Sequence, residues 1–145
     1  MILNKIKCLN KEIIIKKITS NGGNLSFFEK NKDINFDIKR IYYIYEFSKE
    51  NRRGFHAHKE LKQVMFCPYG KIEVEFTNGK EKQSYILDDP TKILVVEKGY
   101  WREFISLKEG SILCVAASEV YNENDYIRDY EEYLKWEGKD DESTI

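Results

Sequence analysis

The chain has 145 residues, about the size of one ordinary domain, and a composition (41% hydrophobic, 34% charged) typical of a globular protein rather than a disordered one. A formal net charge of -1 provides no strong basic field, so we expect no nucleic-acid partner. The three cysteines are far apart and no stretch is apolar enough to cross a membrane, so we expect free thiols and a cytoplasmic protein without a membrane partner.

Short apolar segments separated by turn residues follow one another along the chain, and no helical segment lies between them. This spacing predicts an all-β fold, an antiparallel sandwich or barrel, and excludes a doubly wound α/β fold. The predicted strand segments are Ile13–Ile15, Leu25–Phe28, Ile41–Tyr45, Val64–Cys67, Ile72–Phe76, Gln83–Leu87, Ile93–Val96, Phe104–Ile105 and Ile112–Ala117.

The clearest hairpin is predicted over residues 72–87. Its first strand alternates apolar and acidic residues, which is the period of a half-buried strand. Asn78-Gly79 predicts a tight turn, because both positions tolerate positive φ.

The C-terminal segment has a different pattern. Asn124-Asp125 predicts a helix cap, and apolar residues recur at helical spacing from Tyr126 to Leu134. We therefore expect a short helix packed against the strands, with a single domain over residues 1–137 and a polar tail over residues 138–145.

The two histidines of the chain stand together, as His56 and His58. Side chains two residues apart on a strand point to the same side, so both imidazoles face one volume. Because Lys59 and Glu60 follow, an exposed pair on a polar strand is the alternative to a buried site. A histidine titrates near neutral pH and can take and return a proton.

The residues after the histidines resemble the first cupin motif, in which a carboxylate and then a glycine turn follow His-x-His. Here Gln63 takes the place of the carboxylate and Gly70 that of the turn. In the second motif Arg102 stands where a further histidine is expected. An amide is a poor metal ligand and arginine cannot coordinate, so we predict no metal and no cofactor.

Two arginines lie close to the candidate pocket strands. Arg40 begins the tyrosine-rich segment and Arg53 lies just before the histidines. Guanidinium groups bind phosphate with two hydrogen bonds, so both suit an anionic ligand, although scattered arginines are usually surface residues. Tyr42 is either a pocket or a core residue.

Several segments together resemble one known family, the dTDP-4-keto-6-deoxyglucose 3,4-ketoisomerases of bacterial deoxysugar synthesis. The two most specific are RGFHAHK (residues 53–59) and DYIRDY (residues 125–130). The others are residues 38–44, 63–64, 100–101 and 116–118.

The resemblance implies a jelly-roll cupin barrel that forms a homodimer with exchanged N-terminal strands. It implies a dTDP-linked 4-keto-6-deoxy sugar as substrate, no metal, and a place in the synthesis of deoxy-aminosugars for surface polysaccharides such as O-antigen. It assigns His56 as the main acid/base, Tyr42 as its partner at the sugar and His58 as a supporting residue, with Arg40, Arg53, Gln63 and Arg102 as substrate- or nucleotide-binding residues.

Two positions depart from the family pattern. Many relatives have histidine at Arg102 and arginine at Gly22, so we hypothesise that both positions bear on product stereochemistry or sugar orientation. Three alternatives stay open from the sequence: a 3,5-epimerase of the same barrel class, a non-catalytic nucleotide-sugar-binding cupin, and a metal-dependent cupin oxygenase.

Overall fold

The computed structural model describes residues 10–136 and residue 138, and its secondary structure is almost entirely β. The strands are β1 (Lys11–Ile14), β2 (Lys17–Ser20), β3 (Gly23–Ser26), β4 (Arg40–Phe47), β5 (Arg52–His58), β6 (Gln63–Tyr69), β7 (Ile72–Thr77), β8 (Lys82–Leu87), β9 (Lys92–Val96), β10 (Trp101–Ser106), β11 (Ser111–Ala117) and β12 (Tyr126–Ile127). A 3₁₀ turn (Glu123–Asp125) precedes β12, and one helix, α1 (Tyr130–Lys135), follows it.

The strands form two five-stranded antiparallel sheets with the orders β1-β9-β6-β11-β4 and β12-β5-β10-β7-β8. Apolar side chains from both sheets pack together in the main core, with Met65 and Val115 from the first sheet and Val74 and Phe104 from the second. The predicted all-β class with a short C-terminal helix is confirmed. Hydrogen bonds between the described strands do not close the two sheets into one continuous barrel.

The predicted hairpin over residues 72–87 is present as β7 and β8, but its turn differs from the prediction. Thr77 pairs with Lys82, so four residues form the loop instead of two. Gly79 has a φ of 96°, whereas Asn78 does not adopt positive φ. Instead, the Asn78 side-chain oxygen accepts hydrogen bonds from the backbone N–H groups of Lys80 and Glu81, which stabilises the longer loop.

The C-terminal helix begins later than predicted. Asp129, rather than Asn124-Asp125, caps α1 by accepting a hydrogen bond from the Glu131 N–H. Tyr126 and Ile127 are not helical, because their main chain pairs with His58 and Ala57 at the edge of β5. The helix is anchored by the buried Tyr133, whose hydroxyl lies 2.7 Å from the Gly99 carbonyl.

Two apolar surfaces remain exposed. The β2–β3 hairpin pairs only within itself in the described part of the chain, and Leu25 on it is 60% exposed. On the outer side of the edge strand β4, Ile41, Tyr43 and Tyr45 are each about 60% exposed or more. Among the described residues, no helix is long and apolar enough to cross a membrane.

Some sequence predictions concern residues outside the described part. Apart from Gly138, the predicted polar tail lies there, and so does Cys8. The other two cysteines, Cys67 and Cys114, are free thiols, as predicted.

Candidate active site

A bulge in β5 positions the two histidines. Arg102 of β10 pairs with His56, and the next residue, Glu103, pairs with Gly54, so Phe55 is the extra residue. Gly54 has a φ of 100°, and a Cβ there would lie 2.9 Å from the Arg102 carbonyl oxygen. Only glycine fits this close approach of the two strands.

Both histidine side chains point between the sheets. His58 is fully buried and His56 is partly buried, and their ring centroids lie 4.9 Å apart in an edge-to-face arrangement. Ala57 between them packs on the opposite side of β5, against Trp101 and Ile127. The predicted common orientation of His56 and His58 is therefore confirmed, and the exposed-pair alternative is wrong.

A chain of hydrogen bonds leads from Arg102 to Tyr42. The Arg102 side chain is fully buried, and its Nη1 donates to Gln63 Oε1 at 2.5 Å. A guanidinium only donates, so this bond fixes the orientation of the Gln63 amide. Gln63 Nε2 then donates to the Tyr42 hydroxyl oxygen at 2.7 Å. The Tyr42 hydroxyl proton is thus directed away from Gln63 and is free for another acceptor.

The C-terminal segment contributes two residues that the sequence analysis did not assign to the site. The Tyr126 ring lies 5.1 Å from the His56 ring and 4.4 Å from the His58 ring, measured between centroids. Asp125 Oδ2 lies 2.9 Å from His58 Nδ1. Both residues were assigned to a predicted helix, although the DYIRDY motif that contains them had indicated their importance.

The two arginines predicted to bind an anion lie on different strands, Arg40 on β4 and Arg53 on β5. The Arg40 guanidinium lies over the rings of Tyr42 and Tyr121, 5.1 and 5.7 Å from their centroids. Its Nε and Nη2 are buried and have no hydrogen-bond partner within residues 10–136. Arg53 is exposed and pairs with Phe104, a core residue, so it lies on the interior side of β5.

Burial and positive charge keep both imidazoles neutral. Burial, reinforced by the Arg102 cation, lowers the pKa of His56 to about 3. The same two causes, in the same order, lower the pKa of His58 well below its usual range. Burial lowers the pKa of Arg102 to about 10, so this group remains a cation at neutral pH. The site therefore contains two neutral imidazole rings and one positively charged guanidinium group.

Comparison with known proteins gives the family. The FdtA model, described as "WxcM-like, C-terminal", matches residues 9–138. The TDP-4-oxo-6-deoxy-alpha-D-glucose-3,4-oxoisomerase of Aneurinibacillus thermoaerophilus is 42% identical over 130 residues, which are 90% of this chain and 94% of the relative. The chain belongs to the sugar 3,4-ketoisomerase family. Membership confirms the family and the enzyme class, an isomerase, that the sequence predicted.

Solved structures of sugar 3,4-ketoisomerases have the same fold. The enzyme from Helicobacter canadensis is 42% identical with a TM-score of 0.85, covering 89% of this chain and 97% of that one. The enzyme from Thermoanaerobacterium thermosaccharolyticum, in complex with TDP, is 40% identical with a TM-score of 0.82, covering 87% and 92%. A Bacillus anthracis dTDP-4-dehydrorhamnose 3,5-epimerase, 17% identical with a TM-score of 0.72, shares the fold alone and covers 84% and 82%.

The low pKa of His56 predicts a pH-dependent stability that a variant can isolate. Unfolding raises this pKa from about 3 to the ordinary histidine value of 6.5, so the unfolded chain binds more protons and stability falls as the pH drops below about 6.5. At about 1.4 kcal/mol per pKa unit, lowering the pH from 7 to 5 should cost the wild type about 2 kcal/mol more than His56→Asn. Urea unfolding of both proteins at the two pH values measures this difference. Equal losses of stability in the two proteins would show that folding does not lower the pKa of His56.

Proposed function

We propose that this isomerase converts dTDP-4-keto-6-deoxyglucose into the dTDP-linked 3-keto-6-deoxyhexose by metal-independent proton transfer between carbons 3 and 4. The observation that carries the proposal is the pair of neutral, inward-facing imidazoles of His56 and His58. The Tyr42 hydroxyl, which accepts from Gln63 and keeps its own proton for donation, supplies the second group that the reaction needs. A mutant of the T. thermosaccharolyticum relative has been solved in complex with TDP-4-keto-6-deoxyglucose, which supports this substrate.

The reaction needs a base and a proton donor and no oxidant. The carbonyl at carbon 4 acidifies the C–H bond at carbon 3, so a base can remove that proton and leave an enediolate across the two carbons. Delivery of a proton to carbon 4 forms its new C–H bond, and the hydroxyl proton at carbon 3 passes to the oxygen on carbon 4. The ketone is then at carbon 3, and the numbers of protons and electrons are unchanged.

The proposed roles follow from the geometry of the side chains. His56 removes the proton from carbon 3 and returns one to carbon 4, since its Nδ1 donates to the Gly54 carbonyl, 3.0 Å away, and leaves Nε2 as the base. Tyr42 donates a hydrogen bond from its hydroxyl group to the oxygen on which negative charge develops, and keeps its proton. Arg102, through Gln63, holds that hydroxyl in the donating orientation. His58 has a supporting role beside His56 and Tyr42.

The diphosphate would be bound by Arg40 and Arg53. Arg40 has two buried N–H-bearing atoms without a partner in the described residues, and buried donors of this kind are rare unless a ligand or water satisfies them. Arg53 is exposed on the interior side of β5, where a bound diphosphate could reach it from solvent. A nucleoside diphosphate supplies several oxygen acceptors for such groups.

The arginine next in sequence gives a matched control for this assignment. Arg52 forms ion pairs with Glu75 and Glu103, at 3.6 and 3.2 Å, and is not assigned to the ligand. Loss of a charge-assisted contact weakens binding by about 10- to 100-fold, so Arg53→Gln should raise the Kd for TDP by that factor. Arg52→Gln should change it by less than about twofold. Titration calorimetry with TDP measures both, and equal effects would remove Arg53 from the site.

The catalytic assignment is tested by His56→Asn, which has a similar shape but no basic ring nitrogen. We expect kcat to fall by about 10²- to 10⁴-fold while TDP binding stays within about threefold of wild type. Activity is measured by incubation with dTDP-4-keto-6-deoxyglucose and a 3-aminotransferase, followed by identification of the amino sugar. A fully active His56→Asn variant would contradict the assignment. If wild type binds the nucleotide sugar without turning it over, the non-catalytic alternative is correct.

The 3,5-epimerase alternative has less support than the ketoisomerase. Its representative shares only 17% sequence identity with this chain, whereas the Helicobacter canadensis 3,4-ketoisomerase shares 42%. The product ketone at carbon 3 suits a 3-aminotransferase as the next enzyme. This supports the proposed place in deoxy-aminosugar synthesis for surface polysaccharides in the bacterial cytoplasm.

We further propose that the enzyme is a homodimer in which the N-terminal strands are exchanged. The β2–β3 hairpin pairs with no other described strand, and its apolar residues, such as Leu25, are exposed, as expected for a segment that packs on a second subunit. The outer side of β4, with Ile41, Tyr43 and Tyr45, is a second exposed apolar surface suited to a subunit interface.

Sedimentation equilibrium tests the dimer. A mass of about twice the 17.3 kDa of one chain is expected for wild type. Ile41→Glu places a charge on the exposed β4 surface and should raise the dimer dissociation constant at least about tenfold, because a buried unpaired charge is strongly unfavourable. Leu134→Glu, at an exposed apolar residue of α1, should leave the mass unchanged. A wild-type monomer would contradict the proposal.

A further inference from the structure

His58 is held differently from His56, although both rings belong to the same site. His58 Nδ1 lies 2.9 Å from a carboxylate oxygen of Asp125, whereas His56 Nδ1 lies 3.0 Å from a backbone carbonyl oxygen, that of Gly54. The proposed function assigns His58 only a supporting role and leaves the Asp125 contact unexplained.

Asp125 is fixed by contacts with the residues that follow His58. Its Oδ1 accepts a hydrogen bond from the Glu60 N–H at 2.7 Å, and its backbone carbonyl accepts one from the Lys59 N–H at 2.9 Å. Oδ2 is thereby turned towards His58. The carboxylate cannot swing away without breaking its hydrogen bond with the Glu60 N–H.

The opposite ring nitrogen of His58 is available for a ligand. Nε2 is buried and has no hydrogen-bond partner within residues 10–136. The ring also lies against His56 and Tyr126, which hold its plane. A buried nitrogen without a partner in such a packed site is uncommon unless a ligand or water satisfies it.

We propose that Asp125 is a positioning residue that fixes His58 in the Nδ1–H form, so that Nε2 accepts a hydrogen bond from a hydroxyl of the bound sugar. A carboxylate oxygen accepts a hydrogen bond from Nδ1–H, and a neutral imidazole with hydrogen on one nitrogen has a lone pair on the other. The role at the sugar rests on the proposed function, whereas the position of the proton on His58 does not.

The surroundings of His58 keep its ring neutral. Burial is the main cause that disfavours a charged His58 ring, and the guanidinium groups of Arg102, Arg40 and Arg128 add to it. These cations come from β10, β4 and the segment after β12, whereas Asp125 is a carboxyl group in direct contact with the ring. The ring therefore stays neutral, and Asp125 determines which nitrogen carries its proton.

The chain allows a direct test, since it contains only two histidines. In protein labelled with ¹⁵N in the imidazole rings, couplings between ring nitrogens and ring C–H protons identify the protonated nitrogen. His56→Asn leaves a single labelled ring, which assigns the His58 signals. We expect Nδ1–H on His58 in both wild type and His56→Asn, and Nε2–H in either protein would overturn the proposal.

Asp125→Asn tests the cause of this form. The asparagine oxygen can still accept the Glu60 N–H, but its NH₂ group faces His58 Nδ1 and donates to it, so the proton should move to Nε2. The variant should lose about 10- to 100-fold in kcat, with KM within about twofold, as for other residues that orient a ligating histidine. Asp129→Asn, at the cap of α1, is the control and should change neither the spectrum nor kcat.

The outcomes separate this proposal from the proposed function. A proton that stays on Nδ1 in folded Asp125→Asn, with kcat within twofold of wild type, would show that Asp125 does not position the ring. If wild type fails to isomerise the keto sugar but the proton still moves between the ring nitrogens, the positioning role stands and the proposed reaction is wrong. If Asp125→Asn does not fold, the wild-type spectrum alone decides.

Discussion

The site depends on one fully buried cation, the guanidinium of Arg102. Burying a charge costs several kcal/mol unless hydrogen bonds compensate, and here Gln63 and the Tyr100 carbonyl accept two of its N–H groups while Nη2 has no partner in the described chain. Arg102 pairs with His56 across the β10–β5 ladder, so the main chains of these two residues have fixed relative positions.

This cation reinforces the effect of burial on the protonation states of the two histidines. It opposes a positive charge on either histidine, and it orients Gln63 so that the Tyr42 hydroxyl is left to donate. The proposed reaction requires this combination, a neutral imidazole that can act as a base and a hydroxyl group that can donate to the developing oxyanion. The C-terminal segment completes the arrangement, since Tyr126 packs on the rings and Asp125 contacts His58.

Much of this was predictable from the sequence, and the failures have physical causes. Short apolar segments separated by turn residues predicted most of the strands, and the one-residue separation of His56 and His58 predicted their common side. Tyr126 and Asp125 were missed because an Asn-Asp pair before aromatic residues at helical spacing also predicts a helix. Only the pairing of Tyr126 and Ile127 with β5 decides against that helix, and a long-range pairing of two residues leaves no periodic signal. The β5 bulge at Phe55 was missed for the same reason.

The central claim is that neutral imidazoles beside Arg102, without a metal ion, move a proton between carbons 3 and 4 of the sugar. The direct measurement is ¹³C NMR of ¹³C-labelled dTDP-4-keto-6-deoxyglucose incubated with the enzyme in heavy water containing a chelator. We expect the ketone signal to move from carbon 4 to carbon 3 and no deuterium to enter carbon 5. A ketone that stays at carbon 4 while deuterium enters carbon 5, or activity that disappears with the chelator and returns with a metal, would contradict the account.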